Sequence, residues 1–200
     1  MAYRDLREFV ARLDAAGELV RIKASVSAQL EISAIVDRVS KGPAGQNRAL
    51  LFENVRGYDV PVLINAFGSA RRMAWALGVE DLNELAANLG ALVKPELPQG
   101  LGPMLNKAGE FWDALRSVGL GPHLVSHAPV QEVVSTGEQA TLDGLPILQC
   151  WPKDGGRYIT LPTVITRDPE SGGRNVGMYR LQMYDNHTLG MHWQIHKGGA

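Results

Sequence analysis

Apolar residues near the start of the chain recur every three or four positions, which is the spacing of one helix face. Short apolar runs rich in β-forming residues lie between these stretches. The pattern predicts helices over residues 6–17, 30–42 and 69–77, and strands over residues 18–22, 50–55 and 60–64. Because helices alternate with strands, this part is predicted to be an α/β or α+β domain.

Turn-forming residues divide the rest of the chain. Ser69 and Asp81 occupy positions where N-caps begin helices, and prolines and glycines between Lys94 and Pro103 mark a break. Beyond the break the sequence predicts a helix over residues 106–118, a linker over 119–129, and strands over 130–134, 158–161, 163–166, 175–184 and 189–196. The expected class is therefore α+β, with an N-terminal α/β domain over residues 1–120 and a β-rich region over residues 130–200.

The last two predicted strands form a hairpin around the turn formers of residues 185–188. If Tyr184 pairs with Leu189, one face carries Asn175, Gly177, Tyr179, His192, Gln194 and His196. The other face, with Met191, Trp193 and Ile195, is expected to point into apolar packing. In this register Asn175 lies diagonal to His196, and such neighbours are roughly 7–8 Å apart, close enough for two side chains to bind one ion.

The residue types on this hairpin suggest a cation and a phosphate. An amide oxygen with an imidazole nitrogen suits a divalent ion such as manganese or magnesium. Since two neutral ligands hold such an ion weakly, an acidic residue from elsewhere or a phosphate has to complete the shell. Gly177 leaves backbone N–H groups accessible to a phosphate, and Arg180 adds positive charge. By pattern alone, the same residues also fit an ordinary solvated surface.

Composition and charge exclude several classes. A net charge of −1 without a basic run gives no footprint for nucleic acid or an anionic membrane, and no apolar stretch approaches membrane-spanning length. The single Cys150 excludes an internal disulfide framework and is expected to be a buried thiol. These features argue for the cytoplasm. The pair Arg71 and Arg72 fits a phosphate or acidic partner, but a solvated helix face is the favoured interpretation.

A set of short motifs runs through the whole chain in one order. In that order they are Leu50-Leu51-Phe52-Glu53-Asn54, Gly57-Tyr58, Pro61-Val62-Leu63, Phe67-Gly68, Leu145-Pro146-Ile147, Cys150-Trp151-Pro152, residues 174–182 and residues 191–200. Together they resemble the UbiD family of prenylated-flavin-dependent decarboxylases. Several motifs in one order are far more specific than any single motif.

The resemblance implies a metal site. Asn175 and His196 match the family's ligands to Mn²⁺ or a similar divalent ion, which bridges the protein and the phosphate of prenylated FMN. The resemblance also allows K⁺ as a further ion. Ile195 stands where family members often have Ser or Gln, and is expected beside the cofactor.

The resemblance also implies how the cofactor and the substrate are held. Gly177, Met178 and Tyr179 match the segment whose backbone binds the flavin phosphate. Arg180 matches the arginine beside the flavin and the substrate carboxylate, and is the expected catalytic residue. Because the strand pattern places Arg180 on the face opposite Asn175, a departure from the strand ladder is expected between them.

At the level of function, the resemblance implies reversible non-oxidative decarboxylation of an aromatic or α,β-unsaturated carboxylic acid, with polyprenyl-hydroxybenzoate as the suggested substrate. The β-rich region is then the start of a split β-barrel flavin-binding domain. A flavin prenyltransferase that supplies the cofactor and a second copy of the chain in a homo-oligomer are the expected partners. The family's third metal ligand and catalytic glutamates lie beyond residue 200, so an N-terminal portion of a longer enzyme is expected. A binding or assembly module without catalysis, and a flavin-binding oxidoreductase, are the alternatives.

Overall fold

The computed structural model describes residues 3–93, 125–196 and 198. The chain divides into two compact units, Met1–Glu80 with Gly137–Ala200 and Asp81–Thr136. The predicted helix over residues 106–118 and the first part of the predicted linker lie outside the described residues. The predicted domain boundaries, 1–120 and 130–200, remain predictions.

The first part of the larger unit alternates helices and strands, as the sequence predicts. Its elements are α1 Leu6–Ala15, β1 Leu19–Ile22, α2 Glu31–Ser40, β2 Ala49–Phe52, β3 Val62–Ile64 and α3 Ala70–Leu77. The expected cap at Ser69 is confirmed, since its hydroxyl accepts a hydrogen bond from the Arg72 backbone N–H at 3.2 Å. Helix α3 ends at Gly78, which adopts the left-handed conformation with φ of 73°. The mixed α/β character of this part is thereby confirmed.

Strand β2 lies at the centre of the first sheet, whose order is β1-β2-β3. It runs parallel to β1 and antiparallel to β3. Every residue of β2 is buried, because alternate side chains enter cores on opposite faces. Ala49 and Leu51 pack with α1 and α3, whereas Leu50 and Phe52 pack with α2. Burial on both faces explains why this strand is a continuous apolar run.

The second part of the larger unit consists of short strands. These are β4 Arg157–Ile159, β5 Thr163–Arg167, β6 Arg174–Met178, β7 Leu181–Met183 and β8 Leu189–Met191. They form a three-stranded sheet of order β4-β7-β8 and a two-stranded sheet of β5 and β6. The segment before β4 joins the N-terminal part, because the Leu30 N–H donates to the Gln149 carbonyl at 2.9 Å.

The predicted hairpin forms, but with other bounds and another register. The first predicted strand is broken at Tyr179 and Arg180, so β6 pairs with β5 and only β7 pairs with β8. Met183, not Tyr184, stands opposite Leu189. The predicted register was therefore wrong by one residue: the Tyr184 N–H donates to the Thr188 carbonyl at 3.0 Å, which leaves three residues in the turn where the sequence predicted four. Strand β8 also ends at Met191, well before His196.

The predicted apolar packing of the last segment was wrong for Ile195, which is 88% exposed. Trp193 is 45% exposed, although its ring contacts the Tyr179 ring. Beyond β8 the segment leaves the ladder, so the alternation of a strand no longer directs these side chains inward.

In the smaller unit, the structure describes helix α4, Leu82–Val93, and a short 3₁₀ helix, Pro129–Gln131. Asp81 is confirmed near the start of α4, where its carboxylate accepts from the Asn83 N–H at 2.9 Å. The predicted strand over residues 130–134 was wrong. Val130 is 87% exposed, and a β-forming sequence without a partner strand lacks the pairing that would hold it extended.

The prediction of a solvated face for Arg71 and Arg72 was wrong for Arg72. Its side chain is completely buried and forms an ion pair of 2.8 Å with Glu18, whereas the Arg71 side chain is 63% exposed. Arg72 also donates to the backbone and side-chain oxygens of Asn47 at 2.9 and 2.8 Å. Helix α3 therefore turns one of two adjacent arginines into the interior of the larger unit.

Cys150 is half-buried and remains a free thiol. Within the described part of the chain, none of the helices combines the length and the apolar character needed to cross a membrane.

Candidate functional site

Strand β6 and Tyr179, the residue after it, carry candidate residues on alternating faces. Asn175 and Gly177 are half-buried and Tyr179 is 8% exposed, whereas the intervening Val176 and Met178 are largely exposed. The predicted common face of Asn175, Gly177 and Tyr179 is thus confirmed. The amide nitrogen of Asn175 donates to the Tyr179 hydroxyl at 3.1 Å. With the amide nitrogen engaged, the carbonyl Oδ1 is the atom of Asn175 suited to a cation.

The Tyr179 ring lies against Gly177 and restricts which side chain position 177 can carry. A Cβ on Gly177 would lie 2.7 Å from Cε2 of the Tyr179 ring, which is too close for any larger residue. The Tyr179 ring also contacts Trp193, with ring centroids 5.5 Å apart. Tyr179 therefore packs against both the Gly177 backbone and a second aromatic ring.

A cavity of about 310 Å³ opens at this end of β6. It is lined by Asn175, Val176, Gly177, Met178, Tyr179, Arg180, His192 and Gln194. The structure thus brings five sequence-predicted site residues together: Asn175, Gly177, Met178, Tyr179 and Arg180. His192 and Gln194 also line this cavity, although the register that predicted their common face with Asn175 was wrong.

Arg180 stands where this cavity adjoins a smaller one. A neighbouring cavity of about 160 Å³ is also lined by Arg180 and His192, together with Tyr158, Gln182, Tyr184, Gly190 and Met191. The backbone carbonyl of Arg180 accepts from the His192 N–H at 3.1 Å, which extends the β7–β8 ladder by one pair. The expected departure from the ladder occurs at Tyr179 and Arg180, and it lets Arg180 face both cavities.

The structure does not bring every predicted residue to this cavity. His196 and Ile195 are exposed and lie outside its lining. Asn175 does approach the same segment two residues further on, because a Cβ on Gly198 would lie 3.1 Å from its Oδ1. Among the described residues, no group of three or more His, Cys, Asp or Glu side chains is arranged to hold a metal ion. The predicted metal ligands, Asn175 and His196, remain a prediction.

The turn between β7 and β8 is organised by a carboxylate. Asp185 accepts a hydrogen bond from the His187 backbone N–H at 2.8 Å. This bond, with one from the Thr188 side chain, holds the pKa of the Asp185 carboxyl below its ordinary 3.8. The turn thereby fixes the register that places His192 opposite Arg180.

Sequence reasoning missed Tyr158. Its ring lies beneath the guanidinium of Arg180, with Cζ 4.4 Å from the ring centroid. Tyr158 is far from Arg180 in the sequence, and the two meet because β4 pairs with β7. A correct strand pairing was the only signal that would have found it.

Comparison with protein families matches both parts of the chain. Residues 10–89 match the N-terminal domain of 3-octaprenyl-4-hydroxybenzoate carboxy-lyase, described as UbiD_N. Residues 123–200 match the Rift-related domain of the same carboxy-lyase, described as UbiD. The two matches follow each other in the order that the sequence motifs predict.

Among curated proteins, the chain is 50% identical over 197 residues to an uncharacterized protein of Aquifex aeolicus. This match covers 98% of the chain but 40% of the Aquifex protein. The chain thus spans about two-fifths of the length of that relative.

Solved structures give a consistent match. The UbiD-class enzyme HmfF from Pelotomaculum thermopropionicum in complex with FMN is 31% identical with a TM-score of 0.69, over 95% of this chain and 37% of that one. An evolved dimeric form of HmfF in complex with prFMN has the same identity and a TM-score of 0.71, over 96% of this chain and 39% of that one. Vanillic acid decarboxylase from Sedimentibacter hydroxybenzoicus in closed form is 28% identical with a TM-score of 0.70, over 94% of this chain and 37% of that one.

Proposed function

The chain belongs to the UbiD family, and on that premise we propose that it supplies the flavin-phosphate and substrate-carboxylate contacts of a prenylated-FMN-dependent decarboxylase. The reaction is the reversible, non-oxidative decarboxylation of an aromatic or α,β-unsaturated carboxylic acid. One observation carries the proposal: Asn175, Gly177, Met178, Tyr179 and Arg180 line one cavity. The flavin-bound HmfF structures, which share this fold at 31% identity, support the same interpretation.

The residues of this chain fit a phosphorylated flavin and a divalent ion. The half-buried Asn175 directs its amide nitrogen to Tyr179, which makes Oδ1 the atom for a hard cation such as Mn²⁺. His196 is the second ligand in this proposal, and the flavin phosphate and an acidic residue from elsewhere complete the shell. The backbone N–H groups of residues 177–179 would bind the phosphate at the cavity. K⁺ is a further candidate ion.

Prenylated FMN, when bound, supplies the electron sink for the loss of CO₂. The chain itself contributes position and charge. The guanidinium of Arg180 binds the substrate carboxylate through paired N–H donors, which favours the ionised form and fixes the orientation of the acid.

The proposal extends to the setting of the enzyme. The split β-barrel that the sequence predicts would begin with β4–β8 and would need further strands to close. The substrate class is supported by the related vanillic acid decarboxylase, whose name describes an aromatic acid. Polyprenyl-hydroxybenzoate remains a candidate substrate. We also propose that a flavin prenyltransferase supplies the cofactor, that the enzyme forms a homo-oligomer, and that it acts in the cytoplasm.

The test uses the longest protein that the natural reading frame encodes, referred to below as the longer product. It is expressed in a host that makes prenylated FMN. We expect a flavin absorbance spectrum and a stoichiometric divalent metal, both lost in Asn175→Ala and in His196→Ala. His187→Ala is the matched control, since this exposed histidine lies in the β7–β8 turn. Full flavin occupancy in both site variants, or no flavin in the wild-type protein, would contradict the proposal.

A second candidate function is that of a binding or assembly module without its own catalysis. Absence of flavin and metal from the 200-residue chain, with both present in the longer product, would favour this alternative. Reduction of the bound flavin by a nicotinamide would instead favour the other alternative, a flavin-binding oxidoreductase.

A further inference from the structure

One face of the β4-β7-β8 sheet places an aromatic residue beside Arg180. Tyr158 stands directly opposite Gln182 in the antiparallel ladder. Arg180 precedes Gln182 by two positions, so both side chains point to the same face. Arg180 is therefore the diagonal neighbour of Tyr158, within reach of a long side chain.

The resulting contact is close. Cζ of Arg180 lies 4.4 Å from the centroid of the Tyr158 ring, well inside the ~6 Å limit for a cation–π contact. The ring itself is partly buried, and the Tyr158 N–H donates to the Leu148 carbonyl at 2.9 Å. On the opposite strand the Arg180 backbone is bonded to His192 at 3.1 Å. The Arg180 guanidinium thus lies over a half-buried ring, and the backbones of both residues are hydrogen-bonded to neighbouring strands or segments.

A guanidinium that stacks on a ring keeps its donors. The N–H bonds lie in the plane of the group, so one face is covered while the edges still point outward. Among the ion pairs formed within the described part of the chain, none uses Arg180. Its in-plane fork is therefore available to a carboxylate that enters from the adjoining cavity.

We propose that Tyr158 is a positioning residue: its ring holds the guanidinium of Arg180 at the boundary between the two cavities, oriented to bind a carboxylate. This inference rests on the proposed function, in which Arg180 binds the substrate carboxylate. Without the ring, Arg180 keeps its charge but samples more rotamers, and the ordering then falls to the ligand. The ring matters and the hydroxyl does not.

The experiment compares Tyr158→Phe, which keeps the ring, with Tyr158→Leu, which removes it. Benzoate is the probe, and its Kd is measured by calorimetry on the flavin-loaded longer product. Tyr158→Leu is expected to raise the Kd of benzoate by about two- to fivefold, the magnitude of an exposed cation–π contact. Tyr158→Phe is expected to bind benzoate as the wild type does.

A second readout reports on Arg180 directly. The ring current of Tyr158 is expected to shift the side-chain resonances of Arg180 upfield in the NMR spectrum of the chain. Tyr158→Phe keeps this shift and Tyr158→Leu abolishes it. Tyr184→Leu is the matched control, because it removes a phenol from the same sheet face and leaves the ring beneath Arg180 in place.

A double-mutant cycle separates positioning from a loss of fold. In an Arg180→Met background, where the cation over the ring is gone, Tyr158→Leu is expected to have no further effect on the benzoate Kd. The same loss in both backgrounds, an unchanged Kd in Tyr158→Leu, or equal losses in the Phe and Leu variants would each overturn the inference. If the wild-type protein binds benzoate through Arg180 but carries no flavin, the proposed function fails while the positioning role stands.

Discussion

Arg72 and Glu18 form the most deeply buried ion pair among the described residues, with the Arg72 side chain 0% exposed. Loss of Glu18 leaves the buried Arg72 without its ion-pair partner, and loss of Arg72 leaves Glu18 with only the longer 3.4 Å contact to Arg71. We expect Glu18→Gln and Arg72→Met to lower the free energy of unfolding by about 3–5 kcal/mol each in urea titrations. The adjacent Arg71→Met is the comparison: it removes only the longer 3.4 Å contact with the same Glu18 carboxylate, and because its side chain is 63% exposed the expected loss is below about 1 kcal/mol. Similar losses at both arginines would contradict the predicted difference.

Gly177 is tested through the ring that lies against it. In Gly177→Ala the new methyl group would lie 2.7 Å from the Tyr179 ring, which is held by Trp193 and cannot move freely. The expected cost is about 1–3 kcal/mol of stability, the range for overpacking, together with loss of flavin from the longer product. Gly45→Ala is the control, since a Cβ there meets nothing within 4 Å. An unchanged unfolding midpoint in Gly177→Ala would show that the Tyr179 ring moves to make room for the methyl group.

The strands of the larger unit differ in how many of their faces are covered. Phe52 on β2 is completely buried, whereas Ile165 on β5 is 66% exposed. We expect Phe52→Ala to cost about 3–5 kcal/mol in chemical unfolding, because it leaves a cavity. Ile165→Thr is expected to stay within about 0.5 kcal/mol, as for other exposed substitutions. A large loss at Ile165 would mean that another surface covers this strand.

The β7–β8 turn gives a prediction in pH. The pKa of Asp185 is lowered in the folded chain, so its stabilising effect is present above the unfolded pKa and is lost as pH falls through the folded pKa, below 3.8. NMR titration of the Asp185 carboxyl is expected to give a value below 3.8. In Asp185→Asn the acid-dependent change of the His187 amide signal is expected to disappear. A titration at the ordinary value would rule out the hydrogen bond as the organiser of this turn.

The N-terminal sheet and the short strands β4–β8 belong to the same compact unit. The proposed Mn²⁺ would bind between this unit's Asn175, His196 and the flavin phosphate. We therefore expect dialysis of the longer product against a chelator to release metal and flavin together, with flavin absorbance restored on addition of Mn²⁺ and cofactor. Retention of flavin after complete removal of metal would show that the phosphate is held by the protein alone.

The sequence by itself determined the helices and strands of the N-terminal part, the cap at Ser69 and the common face of Asn175, Gly177 and Tyr179. These features depend on local spacing, since side chains repeat every 3.6 residues in a helix and every two in a strand. The order of the motifs likewise identified the family, because it needs no coordinates.

Tertiary structure alone decided which strands pair and in what register. Strand β6 joins β5, and β7 meets β8 one residue away from the expected alignment. A one-residue shift moves every side chain to the other face, so Arg180 shares its face with His192 instead of opposing it. The burial of Arg72 and the stacking of Tyr158 on Arg180 have the same origin, since both depend on partners distant in sequence. Local periodicity says which residues lie together on an element, and long-range pairing decides what they meet.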